Sequence, residues 1–162
     1  SDKYRNYFLS SRAHNSVEIE GFDIISLKPY GSLIESINEL EGGIYEISGK
    51  LNFPAIKHSR KLMFKPGRWL IVQDDLDFIR ARTFTQWFHL EKDLELQRVS
   101  KNSLLFTGIK KRKVYIDCLN DELSTRVYKG DEDLMQGFLC EKDHEYESAN
   151  VVGFTGFGGE ER

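Results

Sequence analysis

The chain has 162 residues, 40% of them hydrophobic and 30% charged, so it can build a core and is too apolar to be disordered. No apolar run approaches the roughly 20 residues a membrane-spanning helix needs, and the opening Ser1-Asp2-Lys3-Tyr4-Arg5 has no apolar signal region. A formal net charge of −3 argues against a nucleic-acid partner, while leaving room for a local basic groove that takes an anionic polysaccharide.

The chain opens without an initiator Met and reads as the interior or C-terminal part of something longer. Period two dominates its hydrophobic pattern. Ser16-Val17-Glu18-Ile19-Glu20 alternates polar and apolar residues and meets Gly21, the pattern of a half-buried strand ending in a turn. Ser32 to Leu40 fits either period, because Leu33, Ile34 and Ile37 suit a short helix as well as a strand. After Gly42-Gly43, Ile44 to Leu51 reads as a strand. Arg60 to Lys65, Pro66-Gly67 and Arg68 to Asp74 form the clearest hairpin, with proline pre-setting one corner of the turn and glycine tolerating the other. Within it, the apolar run Trp69 to Val72 predicts a strand buried on both sides.

Further strands are expected over Thr83 to Leu90, Leu94 to Val99, Ser103 to Thr107, Lys113 to Cys118 and Leu123 to Tyr128, joined by short polar connections. This rhythm without amphipathic helices predicts an all-β, antiparallel, two-layer β-sandwich, read as one domain over residues 1–162. The glycine-rich Gly153 to Gly159 reads as a last strand with a frayed end, or the stump of one.

Chemistry-bearing residues are few. His14, His58, His89 and His144 form no His-x-His or His-x-x-x-His pair, and Cys118 and Cys140 have no metal-type spacing. Cys118 suits a packed strand position, and its disulfide state with Cys140 stays open. There is no nucleophile elbow and no phosphate-binding loop. His58 and His144 read as surface residues. His89 follows Trp87 by two, so these share one strand face while Phe88 and Leu90 share the other. An aromatic beside a histidine can stack on a sugar; a core or rim position is the plainer reading. His14, in Arg12-Ala13-His14-Asn15-Ser16, enters a strand and faces a cleft as ligand or base, or simply caps the strand. Lys110-Lys111-Arg112-Lys113 reads as a solvated turn, with polyanion binding as the alternative.

Tyr7-Phe8, Ser10-Ser11, Ala13-His14-Asn15-Ser16-Val17 and Glu20-Gly21 together resemble a signature of the heparinase II/III-like polysaccharide lyases. Glu20-Gly21 stands where that family has Asp-Gly. The hairpin Arg60 to Asp74, the strand Gln86-Trp87-Phe88-His89-Leu90 and the turn Gln136-Gly137-Phe138 are similar to later family features in the same order. The resemblance spans most of residues 5–154.

It implies the truncated C-terminal β region of a larger bacterial lyase, whose N-terminal α/α toroid is absent from this chain. Such lyases cleave uronate-containing polysaccharides, of glycosaminoglycan or alginate type, by β-elimination. The acid/base residues come from the toroid and an upstream Gly-His motif, so no residue of this chain is assigned a catalytic role and the isolated chain is expected to be inactive. His14 occupies the place of one zinc ligand, its two partners lying upstream. Zinc is therefore expected in the intact parent and none in this chain alone. Arg12, Asn15, Trp87 and His89 are the candidate substrate-binding residues. Dimerisation through exposed sheet edges is the association the reading admits. Localisation stays open among a secreted, periplasmic or envelope-associated parent. The rival reading is a non-catalytic carbohydrate-binding or structural module of a cell-surface or capsule-related protein.

Overall fold

The computed structural model describes residues 2–22, 32–53, 55–142 and 145–159. Helix α1 (Asp2–Leu9) and a 3-10 turn (Ser11–Ala13) precede strand β1 (Val17–Ile19). Then come β2 (Ser32–Leu40), β3 (Ile44–Phe53), β4 (Ile56–Lys65), β5 (Trp69–Phe78), β6 (Arg82–His89), β7 (Glu95–Val99) and β8 (Ser103–Thr107). The chain closes with β9 (Lys113–Asp117), β10 (Ser124–Lys129), β11 (Phe138–Lys142), β12 (Glu145–Ser148) and β13 (Asn150–Gly158). It divides into two compact units, residues 1–26 with 83–157, and residues 27–82 with 158–162.

The first unit is a two-layer antiparallel sandwich, as the period-two pattern predicts. One sheet runs β1-β6-β13-β10 and the other β7-β8-β9, with a separate β11-β12 hairpin. Alternation decides what lies between them. Leu104 and Phe106 from β8 meet Val152 and Phe154 from β13, and Phe88 and Leu90 pack on the same cluster. Trp87 and His89 therefore lie on the opposite face of β6, as their spacing requires.

The glycine-rich end is the last strand, β13, which lies between β6 and β10, buried from Asn150 to Phe154 and opening to solvent at Phe157, 62% exposed. Its residues Val151 and Val152 have no exposed surface. Glycine is needed there for close approach: a Cβ on Gly153 would sit 2.5 Å from the Trp87 ring, and one on Gly156 2.4 Å from Leu123. Helix α1 and the β11-β12 hairpin were not anticipated. Tyr4 and Tyr7 of α1, three apart and on one helix face, pack on Phe138 at the start of β11.

The second unit is an antiparallel meander in the order β2-β3-β4-β5. The ambiguous segment Ser32–Leu40 is a strand. A bulge between Ile34 and Ser36 inserts one residue, so Ile34 and Ile37, three apart, fall on one face opposite Gly49 and Ile47. That is why a helical spacing appeared in a strand. Register puts Ile37, Ile47, Leu62 and Val72 in one row and Tyr45, Phe64 and Leu70 in the next, giving one apolar face.

Two expectations need correction in this unit. Trp69, Leu70 and Ile71 are 40%, 59% and 43% exposed rather than buried on both sides, because β5 is an edge strand at the end of the meander. His58 is 5% exposed, not a surface residue. Its Nε2 lies 2.6 Å from Asp74 Oδ1, while Arg60 donates through Nε and Nη2 to the two Asp74 oxygens at 2.6 and 2.7 Å. A polar cluster so paired can sit on an apolar face. Cys118 and Cys140 are both free thiols, and Cys118 packs against the sandwich core. His144 lies outside the described residues.

Candidate functional site

The segment from α1 into β1 carries Arg12, His14 and Asn15, and β6, which pairs with β1, carries Trp87 and His89. The 3-10 turn Ser11–Ala13 ends at His14, whose backbone N–H bonds to the Ser11 carbonyl. His14 is exposed to solvent, and its Nε2 lies 3.1 Å from the Phe8 carbonyl oxygen. A carbonyl only accepts, so Nε2 is the donor, and in the neutral ring the lone pair is then on Nδ1. A metal-ligating imidazole is oriented in the same manner by a bond from its other nitrogen.

Asn15 joins this segment to β6. Its Oδ1 accepts the His89 backbone N–H at 2.6 Å and lies 3.2 Å from His89 Nδ1. His89 Nε2 stands 3.4 Å from the Tyr7 hydroxyl. Burial, then the nearby His14 imidazole, push the His89 pKa down from 6.5 to about 4, against a weaker opposing pull from the Arg12 carbonyl. His89 is thus a neutral ring at physiological pH.

Beneath lies Gln136, 1% exposed. Its Oε1 accepts from the Tyr7 hydroxyl at 2.6 Å and the Gly137 N–H at 2.8 Å, and its Nε2 donates to the Arg12 carbonyl at 3.1 Å. One buried amide therefore ties α1, the 3-10 turn and the loop before β11. The loop is positioned by Gly137 at φ +88°, where a Cβ would sit 2.7 Å from the Lys129 backbone.

Beside this network is a cleft of about 840 Å³ wholly within the first unit, lined among others by Ser10, Arg12, Glu18, Thr85, Trp87 and Tyr128. Arg12 donates to Glu18 through Nε at 3.1 Å and Nη2 at 2.8 Å, and to the Leu134 carbonyl through Nη1 at 2.8 Å. Trp87 Nε1 donates to the other Glu18 oxygen at 2.8 Å. Glu18 thus neutralises the arginine and fixes the indole. At 5% exposure, Trp87 presents no open ring face to a sugar.

The five residues singled out from sequence are therefore neighbours: His14, Asn15 and His89 in one cluster, Arg12 and Trp87 joined through Glu18 at the cleft. Tyr7, Glu18 and Gln136 were not singled out. Glu18 looked like the solvent side of an alternating strand, and the Tyr7–Gln136 bond spans 129 positions of sequence. Among the described residues no three His, Cys, Asp or Glu side chains converge to hold a metal ion. His14 fits the role of a single ligand in its exposure and ring orientation, and the donor set is incomplete without groups from elsewhere.

Fold and site together define a β-sandwich domain whose polar network of Tyr7, Gln136, Asn15 and His89 fixes the stretch that enters β1. Residues 1–152 match the family described as heparinase II/III-like, C-terminal, and the chain belongs to that family. Solved structures share the fold. A heparan sulfate lyase, HepC from Pedobacter heparinus, aligns with a TM-score of 0.77 at 15% identity over 97% of this chain and 24% of its own. A heparinase III described as the BT4657 gene product gives 0.76 at 15% identity, over 95% of this chain and 23% of its own. Another heparinase III gives 0.75 at 14% identity, over 96% and 23%. The chain spans about a quarter of the length of these structures. No curated protein matches.

Proposed function

We propose that this chain is the C-terminal β region of a polysaccharide lyase that cleaves uronate-containing polymers by β-elimination. In that reaction a base removes the C5 proton of the uronate and the bond from C4 to the glycosidic oxygen breaks. An acid protonates the departing oxygen, and a C4–C5 double bond remains. Base, acid and the groups that neutralise the uronate carboxylate belong to the toroid and to the upstream Gly-His motif of the intact parent. The isolated chain catalyses nothing.

The observation that carries this reading is the family match over residues 1–152, in a chain whose fold is shared with heparan sulfate lyase and heparinase III structures. Within it, His14 supplies one ligand of a zinc site completed by the parent. Zinc there would hold the β region's edge in register with the residues that reach it. Asn15 and His89 form the β-side wall of the substrate cleft, held by Tyr7 and Gln136, with Arg12 and Trp87 as its support. The edge strands β2 and β5 give the chain surfaces for dimerisation, which sedimentation of the purified protein checks.

Product masses test the reaction class. Elimination by the full-length parent gives fragments whose summed mass equals that of the starting chain. Fragments heavier by one water per cut would mean hydrolysis, and the lyase reading would be lost.

A further inference from the structure

The outer face of the three-stranded sheet, opposite the core, carries features that the cleft does not use. Leu104 and Phe106 of β8 point inward, so Ser103, Leu105 and Thr107 point out. Register sets Arg98, Leu105 and Tyr115 in one row across β7, β8 and β9, and Glu95, Thr107 and Lys113 in the next. Tyr115 is 62% exposed. Lys113 precedes it by two on the same face, and the turn carrying Lys110 and Lys111 continues from that end.

The charges around this face are unevenly matched. Arg112 is held by Glu91 at 2.6 Å and Asp93 at 3.2 Å. Lys129 holds Glu95 at 2.6 Å. Asp117 accepts from Ser103 at the far end of β9. Arg98, Lys110, Lys111 and Lys113 make no ion pair among the described residues. Four cations are thus left for an outside partner on a protein of net charge −3.

The turn is held in a costly shape. Lys110 and Lys111 have φ of +57° and +60°, a left-handed pair without glycine. Arg112 braces it through Glu91 and Asp93, and Asp93 also accepts the Ile109 N–H at 3.2 Å. Glu91 and Asp93 are turned to the bracing arginine and Glu95 to Lys129, while Lys110, Lys111 and Lys113 face solvent.

We propose that this face is an auxiliary binding surface for an anionic polysaccharide, with Tyr115 stacking on a sugar ring and Arg98, Lys110, Lys111 and Lys113 meeting its carboxylate or sulfate groups. An exposed tyrosine offers an apolar ring face with a polar tip, which suits a sugar. Arg98 and Tyr115 lie two strand spacings apart, about 10 Å, comparable to the repeat of a disaccharide. The ligand class rests on the lyase reading; the surface rests on exposure and charge.

Affinity electrophoresis of this chain through gels containing heparan sulfate, polygalacturonate or neutral dextran tests it. Retardation by at least one polyanion and none by dextran is expected. The triple variant Lys110→Glu, Lys111→Glu, Lys113→Glu should weaken binding more than tenfold and flatten the log–log salt slope by roughly two to three. Tyr115→Ala should weaken it several-fold without changing that slope, and Tyr115→Phe should restore it. Lys57→Glu with Lys65→Glu, on the other unit, should change nothing. Absence of retardation, equal losses in the two charge variants, or equally tight binding of a single-stranded oligonucleotide would overturn the proposal. The two readings fail separately. A parent that makes no elimination product while this chain still binds through Tyr115 removes only the lyase reading. An active parent whose β region ignores every polyanion removes only this one.

Discussion

Tyr7 and Gln136, 129 positions apart in sequence, share a 2.6 Å hydrogen bond from the phenol to the buried amide oxygen. Through Gln136 Nε2 and the Arg12 carbonyl, that bond fixes the stretch that presents His14 and Asn15. Burial also raises the Tyr7 pKa, so the phenol stays a donor. Tyr7→Phe removes the donor and leaves Gln136 Oε1 with the Gly137 N–H, at a cost of about 1 kcal/mol. Gln136→Ala empties the buried position and should cost about 3 kcal/mol. Urea denaturation would give the two values. Equal, negligible losses would show that the amide does not organise the entry segment.

His89 should titrate far below an ordinary histidine. Its folded pKa of about 4 lies under the unfolded 6.5, so the folded state favours the neutral ring. The stability this contributes is whole above pH 6.5 and is lost as the pH falls through that value towards 4. Its size is about 2 kcal/mol once solvent screening is allowed for. Ring proton shifts followed by NMR should place the midpoint well below 5, and His14→Ala should raise it. A midpoint near 6.5 would contradict the burial of this ring.

The Asp74 carboxylate should matter more to stability than a surface ion pair. Asp74→Ala leaves His58 buried and Arg60 without its bidentate acceptor, a change that typically costs about 3 kcal/mol in buried pairs. Exposed pairs such as Lys3 with Glu132 lie in the class that contributes little. Thermal melts of Asp74→Ala and Glu132→Ala compare them directly. Equal melting temperatures would mean that the cluster is dispensable.

Gly153→Ala should overpack the β6–β13 contact, because the added methyl would lie 2.5 Å from the Trp87 ring. A loss of about 1–3 kcal/mol is expected, with a change in tryptophan fluorescence as the indole shifts. Pairing the substitution with Trp87→Phe should recover part of the loss. Additive losses would place the strain elsewhere.

These positions also mark where sequence reading reached its limits. Val17-Glu18-Ile19 and the alternation through Trp87, Phe88 and His89 were legible because burial on a strand face repeats every second residue. Gly153 and Gly156 hid the interior place of the last strand, since glycine has low strand propensity and the close approach of Trp87, Leu123 and Phe84 is what requires it. Ile34 and Ile37 misled through a bulge. His58 looked like a surface residue among charged neighbours, because its partner Asp74 sits 16 positions away on the next strand. The signature around His14 marked the stretch that leads into β1. The Arg12–Glu18–Trp87 network could not be read, because it needs three-dimensional register between β1 and β6.

Ultraviolet absorbance of the unsaturated uronate is the most direct measure of what this β region serves. Full-length parent mixed with a panel of uronic-acid polymers should generate that absorbance with at least one of them, while the 162-residue chain alone generates none. His14→Ala in the parent should lower the rate together with its zinc content. A parent that yields no unsaturated product from any such polymer, or an isolated chain that yields it unaided, would contradict the account.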